Sequence, residues 1–261
     1  MIQDIFNEFA KFSQVRSIAV GGSRAVKRND AFSDYDVYVY TTEPIPTQER
    51  QNVLETYCNS MALDNYYREH EDVCIMEDGT ELNIVYRELD AFLKSVARVV
   101  ERHEPLDGCT TGMWYSLLKG RIAYDKGGLL VAAKEKYSIP YPQPLRHNII
   151  SYHMNLIKYG MPSLTAQMEK AMKRKDMVNI NQCAHRFLAS YFDIIFALNE
   201  KQHPGEKRLI QTCQEECKIL PVNFELNIRL LLNTMFKDPA ASAVVDLMVT
   251  ELEKVIGLTL A

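Results

Sequence analysis

Apolar residues change their spacing near the middle of the chain. Ile2, Ile5, Phe6, Phe9 and Phe12 recur at three- and four-residue intervals, which predicts an amphipathic helix over residues 2–13. The run from Val15 to Val20 reads as a strand that leads into Gly21-Gly22. Alternation at every second residue predicts a strand from Tyr35 to Tyr40. Two more, Val73–Met76 and Thr80–Arg87, are joined by the hairpin signal Asp78-Gly79. Helical spacing marks residues 46–58, opened by Pro46, and residues 88–101. Beyond about residue 110 strand signals nearly vanish, apart from an edge piece at Arg121–Asp125 before Lys126-Gly127-Gly128. Pro140, Pro142 and Pro144 predict a stiff extended connector. Helical patterns then occupy 146–159, 162–174, 176–200, 205–218, 223–236 and 240–256. The predicted class is α+β, with a mixed sheet and flanking helices over 1–105, a connector over 106–145 and a helical bundle over 146–261.

Composition narrows the functions open to such a chain. A length of 261 residues suits one large or two small domains, and 47% hydrophobic content is ample for their cores. The net charge of −4 argues against a dedicated nucleic-acid binder and favours a small acceptor or a protein partner. No apolar run approaches membrane length, and the first residues read as an acidic amphipathic helix, not a signal peptide. The six cysteines include no CxxC pair, so a reducing cytoplasm is the expected compartment. Cys213 and Cys217, four apart on a predicted helix, read as packing residues. Lys126-Gly127-Gly128 lacks the P-loop arrangement and reads as a turn, and no Gly-x-Gly-x-x-Gly is present. The leucine face at Leu226, Leu230 and Leu231 suits internal packing or a dimer, so oligomeric state stays open.

The chemistry concentrates in two neighbouring motifs. Gly21-Gly22-Ser23 follows a strand, where glycine permits a tight turn and close approach of backbone N–H groups to an anion, and Ser23 adds a hydroxyl. Ser33-Asp34-Tyr35-Asp36 opens the next strand, and the two-residue period projects Asp34 and Asp36 to one face. Two carboxylates side by side are costly unless a cation neutralises them. Hard oxygen donors of this kind suit Mg²⁺ shared with substrate phosphates.

Gly-Gly-Ser, ten intervening residues and Asp-x-Asp resemble the signature of the DNA polymerase β-like nucleotidyltransferase superfamily. Within it the chain is similar to the aminoglycoside and lincosamide adenylyltransferases and their uncharacterised bacterial relatives, whose layout is an α/β head followed by a helical bundle. The motif resemblance covers roughly residues 15–90. It implies a nucleoside triphosphate, ATP first among candidates, bound by Gly21, Gly22, Ser23, Arg24 and Ser33. It implies two Mg²⁺ ions held by Asp34, Asp36 and a third carboxylate. Glu81 is the choice for that ligand and for a possible general base; relatives carry aspartate where Glu81 or Asn83 stands, so Asn83 is a departure if the position lies two residues later. The resemblance also implies a basic residue from the helical part, with Lys207 preferred over Arg208 and Lys201, to meet the leaving pyrophosphate. Asp193 is a candidate base for the acceptor hydroxyl, with His185 and Arg186 as rivals.

The implied function is transfer of a nucleoside monophosphate to a hydroxyl of a small acceptor, with antibiotics among the candidate acceptors. Two alternatives stay open: a silent nucleotide-binding regulator, if Asn83 leaves the triad incomplete, and an antitoxin-like enzyme that modifies a partner protein.

Overall fold

The computed structural model describes residues 2–25, 34–67, 69–238 and 241–260. Helix α1 (Ile2–Phe9) leads into strand β1 (Val15–Val20), the short turn α2 (Gly22–Ala25) and strand β2 (Tyr35–Thr41). Helix α3 (Thr47–Leu54), strands β3 (Cys58–Tyr66), β4 (His70–Met76) and β5 (Glu81–Glu88) and helix α4 (Leu89–Val100) follow. Helix α5 (Gly112–Lys119), strand β6 (Arg121–Asp125) and helix α6 (Leu129–Lys136) come next. The remaining described elements are helical: α7 (Gln143–Met154) running into a π-helical turn (Asn155–Tyr159), α8 (Leu164–Arg174), α9 (Met177–Leu198), α10 (Leu209–Glu216), α11 (Phe224–Thr234) and α12 (Ala241–Leu260). The protein is therefore α+β, a mixed sheet with flanking helices and then a helical C-terminal region. No described helix is long and apolar enough to cross a membrane.

The six strands form one sheet in the order β3-β4-β5-β2-β1-β6. Only the central pair, β2 and β5, is parallel. That pairing brings the starts of β2 and β5 to the same end, with Tyr35 opposite Leu82 and Asp36 opposite Asn83. Strand β1 runs antiparallel to β2, so its C-terminal end and the two glycines arrive there too. One face carries Ile18, Val20, Val37, Val39, Leu82 and Ile84, all buried with Ile5, Phe6 and Phe9 of α1 and Leu54 of α3. Each such side chain contributes about 1.5–3 kcal/mol by leaving water. The other face carries Asp36, Tyr38 and Tyr40 of β2 with Glu81, Asn83, Val85 and Arg87 of β5, because side chains alternate along each strand.

Contacts divide the chain into two units, residues 1–97 with 113–139 and residues 98–112 with 140–261. The segment expected as a connector thus contributes α5, β6 and α6 to the sheet unit. Its anchor is the antiparallel pairing of β6 with β1, where Ser17 Oγ donates to Asp125 Oδ1 at 2.7 Å. Strand β3 lies within the end of the predicted helix 46–58 and beyond it. Helix α3 stops at Leu54, and the chain turns to pair antiparallel with β4 as an edge strand.

Below the apolar face sits a buried ion network. The side chains of Arg50 and Asp72 are 1% and 0% exposed, and Arg50 pairs with both Asp72 and Asp64. Tyr86 Oη donates to Asp72 Oδ2 at 2.7 Å, and the backbone N–H of Asp64 donates to Asp72 Oδ1 at 3.0 Å.

Within the second unit, α9 carries Asp193, 3% exposed. Its carboxylate accepts from the backbone N–H of Thr110 at 3.1 Å and from Thr110 Oγ1 at 2.8 Å. His153 Nε2 lies 2.9 Å from Asp193 Oδ2, within ion-pair range though off the line of a hydrogen bond. His203, also buried, receives a hydrogen bond at Nδ1 from the backbone N–H of Gly205 at 3.2 Å, which marks a neutral ring. Burial lowers the His203 pKa from its ordinary 6.5, against the opposing pull of Asp193 and Glu206. A histidine held neutral binds fewer protons folded than unfolded, so its contribution is complete above the unfolded pKa and declines as pH falls through it. Thermal melts from pH 8 to pH 5 should therefore show stability falling on acidification, with a shallower slope in His203→Gln; an unchanged slope would refute this account.

Candidate active site

At the shared end of β1, β2 and β5 the local backbone is set by two close approaches. Gly22 has a φ of +58°, and a Cβ built there would stand 1.8 Å from Asp36 Oδ2. A Cβ on Gly21 would stand 2.3 Å from the ring of Tyr38. Asp36 and Tyr38, two residues apart on one face of β2, thus press against the turn, and only glycine admits both. The turn is fixed by the Gly21 N–H donating to the Asp36 carbonyl at 2.7 Å and the Ala25 N–H donating to the Gly21 carbonyl at 3.2 Å. The result is a half-buried carboxylate in contact with the backbone of a glycine turn.

The described candidates from the sheet unit, Asp34, Asp36 and Glu81, belong to strand starts at this end of the sheet, though their oxygens do not form a group within 4.8 Å of one another. Asp34, half-buried, immediately precedes β2, and its carbonyl accepts from Arg24 Nε at 3.1 Å. The Arg24 guanidinium lies 3.9 Å over the ring of Tyr35. Ser23 belongs to α2, and Ser33 lies outside the described residues. On β5, Glu81 and Asn83 are half-buried, and Asn83 Nδ2 donates to Glu81 Oε1 at 3.1 Å. Asn83, not Glu81, is the residue in register with Asp36.

Further along the same face lies a cluster that the sequence reading left out. Arg87 pairs with Glu69 through two hydrogen bonds of 2.8 and 2.7 Å and stacks 4.1 Å over the ring of Tyr38. Burial opposes its charge, yet the Glu69 pair raises its pKa above the ordinary value. Burial also pushes the neighbouring Tyr40 hydroxyl up to about 12. The bidentate pair and ring stack hold Tyr38, and through it Gly21, in place. Counting every second residue from Glu81 through Asn83 and Val85 reaches Arg87, so the signal was present in the sequence.

The second unit's candidates stand apart in character. Lys207 is exposed on a turn ahead of α10, beside Arg208. Asp193, expected as a base facing the acceptor, is instead buried with its oxygens engaged by Thr110 and His153, because its helix face packs inward.

Among the described residues, the group of three ligating side chains whose atoms lie within 4.8 Å of one another is Asp64, His70 and Asp72. Arg50 already supplies the cation there, paired with both carboxylates, and His70 Nε2 lies 2.9 Å from Asp64 Oδ1. Asp64 is held well below the usual carboxylate range by hydrogen bonds from Thr47, His70 and Arg50. The group reads as a structural ion network in which one guanidinium serves two carboxylates and offsets part of their charge.

A family described as "Domain of unknown function (DUF4037)" matches residues 111–209. No curated protein matches the chain. Among solved structures, it is similar to a nucleotidyltransferase-like protein from Exiguobacterium sibiricum 255-15, with 10% identity, a TM-score of 0.45, and 98% of this chain and 73% of that chain covered. It is also similar to an aminoglycoside 6-adenyltransferase from Bacillus subtilis, with 12% identity, a TM-score of 0.32, and 97% of this chain and 89% of that chain covered.

Proposed function

We propose that the chain is a Mg²⁺-dependent nucleotidyltransferase that moves a nucleoside monophosphate, AMP from ATP in the first instance, onto a hydroxyl of a small acceptor and releases pyrophosphate. The observation that carries this reading is the packing of the Asp36 carboxylate into the space a side chain at Gly22 would fill. A backbone cleared of side chains beside an acidic group suits a phosphate and the cation that accompanies it. Asp34, Asp36 and Glu81 are hard oxygen donors at one end of the sheet, a donor set that fits Mg²⁺. Bound there, Mg²⁺ supplies neutralisation of phosphate charge and a more acidic acceptor hydroxyl.

The chain's own residues supply the rest. Asp34, Asp36 and Glu81 hold the cations. The Gly21–Ser23 turn receives the triphosphate, with Arg24 beside it as a positive charge. Arg87 and Glu69 brace Tyr38 behind the turn, so the site is pre-organised by packing. The net charge of −4 favours a small or cationic acceptor over a nucleic acid, and aminoglycoside-like compounds are the first class to screen.

One observation favours a second reading, a nucleotide-binding protein without turnover. Asn83 presents a carboxamide in register with Asp36, where a third carboxylate would stand. Calorimetry with ATP, with and without Mg²⁺, paired with a pyrophosphate assay, separates the two. Mg²⁺-dependent binding with pyrophosphate release in the presence of a hydroxylated acceptor establishes the transferase. Binding without release across an acceptor panel selects the silent binder. Absence of binding for all four nucleoside triphosphates refutes both. Gly22→Ala, which drives a methyl group into Asp36, should abolish the binding.

A further inference from the structure

We infer that Asn83 is a positioning residue that swings the Glu81 carboxylate along β5 towards Asp36, so that a glutamate and an amide clamp together replace a carboxylate at position 83. This rests on the metal-binding reading proposed above and specifies how its third ligand is delivered. Residues two apart on a strand lie about 6.6 Å apart at Cα and point the same way. A Glu81 side chain standing upright would leave its carboxylate level with the start of β2. The 3.1 Å bond from Asn83 Nδ2 to Glu81 Oε1 spans part of that separation, so the Asn83 amide fixes the Glu81 carboxylate on the side of the strand step that leads to Asn83. Parallel pairing puts Asp36 at that level, in register with Asn83 on the same face. The extra methylene of glutamate gives the reach that an aspartate at 81 would lack. The amide donates to Oε1 and leaves Oε2 as a further ligand atom.

The alternative role for Asn83, a neutral spacer beside Asp36, makes a different prediction. Mn²⁺ binding in the presence of α,β-methylene-ATP, followed by electron paramagnetic resonance, separates them. With folding verified by circular dichroism, Asn83→Ala should weaken Mn²⁺ binding about 10–100-fold, the range for loss of a residue that orients a metal ligand. Glu81→Gln should cause a similar loss, and the double variant should be no worse than either single one, because both disable one ligand. Asn83→Asp in the Glu81→Gln background should recover most of the affinity by placing a carboxylate directly beside Asp36. A general disturbance of the strand would not be rescued in this way. Asn83→Ser supplies a second test that removes the amide with a smaller packing change. Additive losses, or an Asn83→Ala protein that binds Mn²⁺ like the wild type while Glu81→Gln does not, would overturn the inference alone. A wild type that shows no nucleotide-dependent Mn²⁺ binding would overturn it together with the reading on which it rests.

Discussion

Asp36→Asn is expected to lower nucleotidyl transfer by about a thousandfold, ~4 kcal/mol of transition-state stabilisation, while leaving the fold intact. The substitution is nearly isosteric, so the contact with Gly22 and the packing of β2 survive it. The backbone bond from Gly21 to the Asp36 carbonyl is untouched, because it does not involve the side chain. What changes is charge: one of two clustered carboxylates becomes a neutral amide that cannot hold a hard cation as strongly. The near-isosteric substitution should leave the melting temperature in chelator close to that of the wild type. The wild type alone should then gain stability when Mg²⁺ and ATP are added. Pyrophosphate release and thermal melts, each with and without Mg²⁺, give both readouts. A variant that is folded and as active as the wild type would remove Asp36 from the site.

Arg50→Met is expected to destabilise the sheet unit by about 3–5 kcal/mol. Methionine fills most of the volume, so the loss is electrostatic: Asp72, fully buried, is left without the guanidinium that partners it. The backbone carbonyl of Ile45 also loses the bond it accepts from Arg50 Nε at 3.1 Å. The double variant Arg50→Met/Asp72→Asn should recover much of the loss, because asparagine removes the orphaned charge, its one carbonyl oxygen can accept from the Asp64 N–H, and its amide N–H can donate to the Tyr86 hydroxyl oxygen. Urea unfolding of the wild type and the two variants tests this. A single-variant loss under about 1 kcal/mol would mean that the network is a solvated surface pair. Acid should weaken the same network. Asp64, with its pKa depressed, contributes stability that is complete above its unfolded value near 3.8 and is lost as pH falls towards the depressed one.

The burial of the pair Arg50–Asp72 is not legible in the sequence. In a linear sequence Arg50 sits on a polar helix and Asp72 in a charged stretch, and both look like solvated residues. Their burial follows from β4 packing its even-numbered residues inward, where Cys74 and Met76 lie beside Asp72. Asp193 was misplaced for a related reason: α9 is buried nearly all round from Ser190 to Leu198, so no face is left for a cleft. Strand β3 escaped because an edge strand with one open side needs little apolar alternation. Its solvent-facing residues are Asn59, Ser60 and others that read as loop.

By itself the sequence determined what depends on neighbours a few residues apart. Two-residue alternation marked β2, β4 and β5, three-to-four-residue spacing marked the helices from α7 to α12, and Asp78-Gly79 marked the hairpin between β4 and β5. The same local rules brought Gly21, Gly22, Asp34 and Asp36 forward as a group. Tertiary structure decided what depends on which strands meet. Residues 113–139 join the sheet because β6 pairs with β1, linking Ser17 and Asp125 across 108 positions. Glu81 and Asn83 share a face by periodicity alone, and only the parallel register of β2 with β5 sets Asn83 beside Asp36. Periodicity follows from backbone geometry, which every short segment carries. Register follows from the summed burial of distant segments against one another, which no short segment contains.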